Sequence, residues 1–80
     1  YQYNIKGFKI IIDKYGIPAE ELIFITDTIG DLREAEIIGV PTIAVTWGAH
    51  KKKHFLKVSC ENLISIVDSV DELKDFLSIA

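Results

Sequence analysis

Residues 22–48 read LIFITDTIGDLREAEIIGVPTIAVTWG, and this stretch decides the fold. Residues 22–26 are apolar and rich in β-forming side chains without polar alternation, which predicts a strand covered on both faces. A polar turn follows, and the spacing of apolar side chains predicts a helix over residues 29–38 that Gly39 closes. Residues 42–46 form a second apolar run of the same kind. A strand, a helix and a second strand in this order are typical of a parallel sheet.

The residues on either side of this stretch continue the alternation of helices and strands. A helix is predicted over about residues 5–15, with Gly16 as its left-handed cap. A short helix over residues 50–57 and a buried strand over residues 64–67 follow the second strand. Ser69 then begins a capping box that predicts a closing helix. The apolar stripe of that helix comprises Val70, Leu73, Phe76 and Leu77.

The predicted order is α-β-α-β-α-β-α, which defines the expected fold class. We expect an α/β protein with a Rossmann-like, three-layer α/β/α architecture, in which helices cover both faces of a parallel sheet. About three strands and four helices are expected, which is part of a complete domain of this type. Ligands of such sheets bind at the carboxyl ends of the strands, so the search for a site begins there.

Composition and charge exclude several classes of protein. The 80 residues carry 9 Lys+Arg and 12 Asp+Glu, a net charge of -3, so we expect no nucleic-acid partner. No apolar run approaches the ~20 residues that span a membrane, and no membrane association is expected. Cys60 is the single cysteine, which favours a reducing compartment, and we expect a cytoplasmic protein. Because the sequence begins at Tyr1 and contains no Met, we expect the chain to be a piece of a longer protein.

Two carboxylates, Asp27 and Asp31, lie four residues apart across a predicted strand end and the first turn of the next helix. Both can face one point, and carboxylate oxygens suit a divalent cation such as Mg²⁺ that also holds a substrate phosphate. A structural role is the alternative, because Thr28 and Asp31 also have the spacing of a helix cap. The spacing by itself leaves both interpretations open.

The stretch from residue 22 to residue 48 closely resembles motif IV and its flanks in the haloacid-dehalogenase-like (HAD) superfamily, in particular the phosphoglycolate-phosphatase-like branch. That pattern is a hydrophobic strand, an acid pair D-x-x-x-D, a helix ending in A-x-x-x-G-V-P, a second strand and T-W-G. The corresponding residues after the acid pair are Ala35, Gly39, Val40, Pro41, Thr46, Trp47 and Gly48. Thr26 is a departure, because a Gly usually precedes the first acid in the family.

The resemblance implies a phosphatase that uses Mg²⁺ and acts on a small phosphorylated metabolite. In such enzymes an Asp nucleophile attacks phosphorus, an aspartyl-phosphate forms and water hydrolyses it. Asp27 would ligate the metal directly or through water, and Asp31 would hold a metal-bound water or orient the site. The presence of both acids favours a metal-dependent phosphatase over the metal-free dehalogenases of the same superfamily.

The nucleophile motif D-x-D-G-T of that superfamily does not occur in the 80 residues. We therefore expect residues 1–80 to form the C-terminal portion of a HAD-like core domain, inactive by itself, without the nucleophile-bearing half and the cap. Lys6 is the candidate for the catalytic, phosphate-binding lysine of the family, although the usual K-P-x-P context is missing and an exposed structural charge is the alternative.

Loss of a neighbouring half would leave the strand over residues 22–26 as an open edge, because the family places the nucleophile strand beside it. An uncharged edge strand without Pro pairs readily with another chain. We therefore expect a homo-oligomer or a complex with the missing N-terminal half. The alternative function is a stand-alone, non-catalytic Rossmann-like module that binds a partner or a small anion. A phosphoacceptor receiver domain needs an array of acids and a lysine that this sequence lacks.

Four other reactive or aromatic side chains have simpler expected roles. Trp47 follows a strand and is expected to pack under the site or at its rim. His50 and His54 lie in a basic segment without a second pair of ligands and are expected at the surface. Cys60 has no evident His partner, so a small buried or inert thiol is expected there.

Overall fold

A computed structural model describes residues 3–78 of the chain, with side chains from residue 6 onward. The described helices are α1 (Tyr3–Tyr15), α2 (Ile29–Ile38), α3 (Lys52–Phe55) and α4 (Val70–Leu77), and the strands are β1 (Phe24–Thr26), β2 (Thr42–Val45) and β3 (Leu63–Val67). A short 3-10 turn, Ala19–Glu21, precedes β1. This is the expected α/β architecture. The domain is proposed over residues 1–80, of which residues 1, 2, 79 and 80 lie outside the described part.

The boundaries of most elements agree with the sequence pattern. Helix α2 begins and ends where predicted, and Gly16 and Gly39 close α1 and α2 with φ angles of 65° and 82°. Both residues therefore adopt the left-handed conformation that favours glycine. Helix α3 is shorter than the predicted 50–57, since residues 50 and 51 form a bend and a loop position before it.

The three strands form one parallel sheet in the order β1-β2-β3. Ile25 of β1 lies opposite Ile43 of β2, and Val45 of β2 lies opposite Val67 of β3. Strand β2 is central, and all four of its residues are buried. The carboxyl ends of all three strands consequently lie at one edge of the sheet.

The sheet separates two apolar clusters, as the period of two along a strand requires. On one face Ala44 packs with Leu32 of α2 and Phe55 of α3. On the other face Ile43, Val45 and Val67 pack with Leu73 of α4. Helices therefore cover both faces of the central strand, and the three-layer prediction is confirmed.

Strand β1 is less covered than the sequence predicts. Its Thr26 is buried and its Phe24 packs edge-on against Phe8 of α1, with ring centroids 5.0 Å apart. Ile25, on the opposite face, is 40% exposed, and the preceding Ile23 is 51% exposed. The prediction of a strand covered on both faces is wrong for β1, because α4 packs on β3 and nothing among residues 3–78 covers Ile25 fully.

None of the helices described between residues 3 and 78 combines the length and hydropathy that crossing a membrane requires.

Candidate functional site

The acid pair lies where β1 ends and α2 begins. Asp27 is the first residue after β1, and Asp31 lies in the first turn of α2. Thr28 caps this helix, because its Oγ1 accepts a hydrogen bond of 3.2 Å from the Asp31 backbone N–H. The predicted cap is therefore present, and it does not prevent Asp31 from lying at the same cavity as Asp27.

Both carboxylates line one open cavity of about 370 Å³ at the carboxyl edge of the sheet. The residues that line it are Phe24, Ile25, Thr26, Asp27, Asp31, Val45, Trp47 and Gly48. Residues from β1, β2, the two loops that follow them and the first turn of α2 contribute to this lining. The fold thus brings together the two acids that the sequence singles out.

The loop after β2 fixes the Asp27 side chain. The Ala49 N–H donates to Asp27 Oδ2 over 2.9 Å, and the His50 N–H donates to the Asp27 carbonyl over 3.0 Å. Gly48 passes so close to this carboxylate that a Cβ at position 48 would overlap with it. The T-W-G sequence therefore has a steric purpose here, because only glycine lets the loop approach the acid.

Thr26 fixes the second acid. Its buried hydroxyl donates to Asp31 Oδ2 over 3.2 Å and accepts a hydrogen bond of the same length from the Thr28 N–H. The residue that departs from the family pattern thus connects the strand end to the helix that carries Asp31. The sequence identified Thr26 only as a departure from the family pattern and did not predict this contact.

The available carboxylate oxygens are better suited to a Mg²⁺ ion that keeps several waters than to a metal ion enclosed entirely by protein ligands. Within the described residues Asp27 Oδ1 accepts no hydrogen bond, while Oδ2 is held by Ala49. No group of three or more His, Cys, Asp or Glu side chains between residues 3 and 78 is arranged to hold a metal. Mg²⁺ usually binds through one or two carboxylates and keeps several waters, so Asp27 with Asp31 meets this requirement.

Lys6 lies apart from this lining. It is an exposed residue of α1, and the cavity at the acid pair is formed without it. Its phosphate-binding role stays a prediction. Trp47 lines the cavity and is 47% exposed. Of the two positions expected for it, under the site or at its rim, it therefore occupies the rim.

His50 differs from its expected position at the surface. Its Nδ1 accepts a hydrogen bond of 2.9 Å from the backbone N–H of Ile29, the first residue of α2. The ring is partly buried and lies edge-on to Phe55, with centroids 6.1 Å apart. His50 is therefore less exposed than expected, because an unpaired N–H at a helix start attracts an acceptor. No local sequence signal links residues 21 positions apart.

His54 is also partly buried, and it accepts a hydrogen bond of 2.9 Å at Nδ1 from the Lys51 N–H. Desolvation lowers the pKa of His54 below its usual 6.5, and the positive charges of Lys53, His50, Lys57 and Lys51 lower it further. Both the neighbouring charges and the accepted hydrogen bond favour the neutral ring.

Cys60 is a free thiol that packs beside the cluster around Leu32. Burial raises the pKa of Cys60, and the nearby Glu36 carboxylate raises it further against an opposing effect of Arg33. A raised pKa lowers the thiolate fraction, which agrees with the expected inert thiol.

A layered α/β unit with two carboxylates at the carboxyl end of a parallel strand is the arrangement expected of a HAD-type hydrolase. A family model described as HAD-hydrolase-like matches residues 6–73 of this chain. Since the match covers most of the sequence, the chain belongs to the HAD-hydrolase-like family. No curated protein and no solved structure matches the chain at a significant level.

Proposed function

We propose that this chain supplies the metal-binding acids of a Mg²⁺-dependent phosphatase of the phosphoglycolate-phosphatase-like branch. The observation that carries the proposal is that Asp27 and Asp31 line one cavity at the carboxyl end of β1. Membership in a family of hydrolases gives this arrangement a catalytic rather than a purely capping interpretation. The substrate class is a small phosphorylated metabolite.

Each acid has a separate task in this proposal. Asp27 offers its Oδ1 to the metal while Ala49 holds Oδ2, and Asp31, oriented by Thr26, holds a metal-bound water or ligates directly. These two residues would hold the Mg²⁺, which when bound would supply positive charge to offset that of the substrate phosphate. The protein's own contribution is to hold both carboxylates in place before the substrate arrives, which reduces the cost of reorganisation.

The nucleophile comes from outside these residues in our proposal. The sequence has no D-x-D-G-T motif, so we propose that residues 1–80 form the C-terminal part of the core domain and act with a nucleophile-bearing half. Lys6 remains our candidate for the phosphate-binding lysine, and docking of that half would have to bring it toward the cavity. We place the protein in the cytoplasm, because a single cysteine, Cys60, favours a reducing compartment.

Calorimetry and Mn²⁺-induced broadening of amide NMR signals test the metal site directly. We expect weak Mg²⁺ binding, because two carboxylates leave most coordination positions to water. Asp27→Asn and Asp31→Asn should each abolish it, and Mn²⁺ should broaden the signals of residues 26–31 and 47–49 first. Asp13→Asn, which removes an exposed carboxylate from α1, is the matched control and should bind as the unaltered chain does.

Binding that survives Asp27→Asn would contradict the assignment of the metal to this cavity. Complete absence of Mg²⁺ affinity would favour the non-catalytic binding module instead. The chain should also fail to hydrolyse a generic phosphomonoester above background. A Mg²⁺-dependent turnover that Asp27→Asn removes would show that the nucleophile lies within these 80 residues after all.

A further inference from the structure

Positive charge is concentrated in the segment that follows the candidate site. No acidic residue occurs between Glu36 and Glu61, although the chain as a whole has a net charge of -3. Residues 50–57, here called the basic segment, contain two histidines and four lysines. A local excess of positive charge in an acidic protein attracts anions to that part of the surface.

The basic segment is attached to the edge of the cavity. The N–H groups of Ala49 and His50 donate to Asp27, and the ring of Phe55 is fully buried against the core. Since Phe55 belongs to α3 and Lys51 is the N-cap of this short helix, the burial of Phe55 anchors the backbone at Lys51 beside the loop that contacts Asp27.

Among the four lysines, Lys51 is the one in contact with the cavity lining. Its Nζ donates to the carbonyl oxygen of Gly48 over 3.4 Å, and Gly48 lines the cavity beside Asp27. A long bond to one neutral carbonyl leaves two of the three ammonium donors for a ligand. Lys52, in contrast, forms an ion pair of 3.7 Å with Asp68.

The cavity itself presents negative charge to an incoming anion. Among the described residues, its lining includes the carboxylates of Asp27 and Asp31 and no cationic side chain. Asp27 and Asp31 would hold a divalent ion, whose positive charge would allow one phosphate group to bind beside them. Lys51 lies just outside the lining, so its ammonium is placed for an anionic group on the part of a substrate that extends beyond that phosphate.

We infer that Lys51 recognises a second anionic group, a carboxylate or another phosphate, of a phosphomonoester bound at the acid pair. This inference rests on the proposed function, because the acid pair must hold the first phosphate. It assigns Lys51 a role in selecting substrates: phosphomonoesters with two anionic groups bind better than those with one.

Three stable phosphonates provide the probes, used with the full chain and an excess of Mg²⁺ over the probe. Methylphosphonate carries one anionic group, whereas phosphonoacetate adds a carboxylate and methylenediphosphonate adds a second phosphonate. We expect one or both of the two-group probes to bind at least about fivefold more tightly in NMR titrations. The tighter of the two identifies which second group the site prefers.

Substitution of Lys51 should remove this preference selectively. Lys51→Gln should weaken binding of the preferred two-group probe roughly tenfold and change methylphosphonate binding little, since one charge-assisted hydrogen bond is lost. Lys51→Arg should retain most of the preference. Lys57→Gln, which makes the same charge change at the far end of the basic segment, is the control and should bind as the unaltered chain does.

Equal losses in Lys51→Gln and Lys57→Gln would overturn the inference, because the effect would then be that of a diffuse positive surface. An unchanged preference in Lys51→Gln would overturn it as well. The proposed function fails separately. If Mg²⁺ does not bind at Asp27 and Asp31 but Lys51→Gln still removes the preference, the contact at Lys51 stands and the metal site is wrong.

Discussion

Gly48 lies against the carboxylate of Asp27 so closely that a β-carbon at position 48 would overlap with the Cβ, Cγ and Oδ2 atoms of that side chain. The loop after β2 and the acid after β1 therefore depend on each other, although 21 positions separate them. The same approach lets the next N–H, that of Ala49, donate to Asp27. A substitution at Gly48 should consequently displace Asp27 and alter the candidate metal site.

Gly48→Ala should force the Asp27 side chain out of its present position. We expect the Ala49 hydrogen bond to be lost, the free energy of unfolding to fall by about 1–3 kcal/mol and Mg²⁺ binding to disappear. Urea unfolding and calorimetry measure the two effects. Gly7→Ala is the control, since nothing lies within 4 Å of a Cβ there and alanine favours the interior of α1. Unchanged metal binding in Gly48→Ala would contradict the steric argument.

Asn62 connects three elements through one side-chain amide. Its Nδ2 lies 3.1 Å from the carbonyl oxygens of Leu32 and Val40 and 3.0 Å from Thr42 Oγ1. Asn62→Asp would place a carboxylate among these acceptors and should lower the free energy of unfolding by about 2–4 kcal/mol. Urea unfolding gives the value. Glu61→Gln, an exposed charge change at the neighbouring residue, should alter stability by less than about 0.5 kcal/mol. A similar loss in both variants would show that Asn62 is not a specific connector.

The lowered pKa of His54 gives the fold a pH dependence of definite sign. Because the folded protein binds this proton less readily than the unfolded chain, stability is complete above about pH 6.5 and decreases as the pH falls below it. The urea concentration at the midpoint of unfolding should therefore decrease as the pH is lowered from about 7.5 to about 5.5. Ordinary carboxylates stay ionised over this range.

Two variants separate His54 from other groups in that experiment. His54→Asn should show a smaller decrease over the same pH range, because the titrating ring is gone. Lys53→Gln should also show a smaller decrease, since Lys53 is the first of the positive charges that lower the pKa of His54. An unaltered pH dependence in His54→Asn would assign the effect to another residue.

Local patterns in the sequence predicted the fold and the acid pair, and contacts between distant residues explain what they missed. The polar turn that begins at residue 27 and the end of α2 at Gly39 follow from short-range chemistry, and the structure confirms both. The hydrogen bond from Ile29 to His50 requires the start of α2 and the loop after β2 to meet in space, and no periodicity encodes that. Burial of β1 was overestimated for a related reason. An apolar run indicates that a strand can be covered on both faces, whereas the actual cover depends on neighbours that lie outside the run.

The last prediction concerns β1, which is an edge strand in the part of the chain that the structure describes. It pairs with β2 on one side, and its exposed Ile25 adds apolar surface to an edge without charge or Pro. We expect the purified chain to self-associate, and Ile25→Lys should raise its dissociation constant at least about tenfold, because an edge lysine opposes strand pairing. Sedimentation equilibrium measures this. Ile37→Lys is the control, since Ile37 is 72% exposed on α2, away from the edge. A stable monomer at about 100 μM, or equal effects of both variants, would show that β1 does not pair with a second copy.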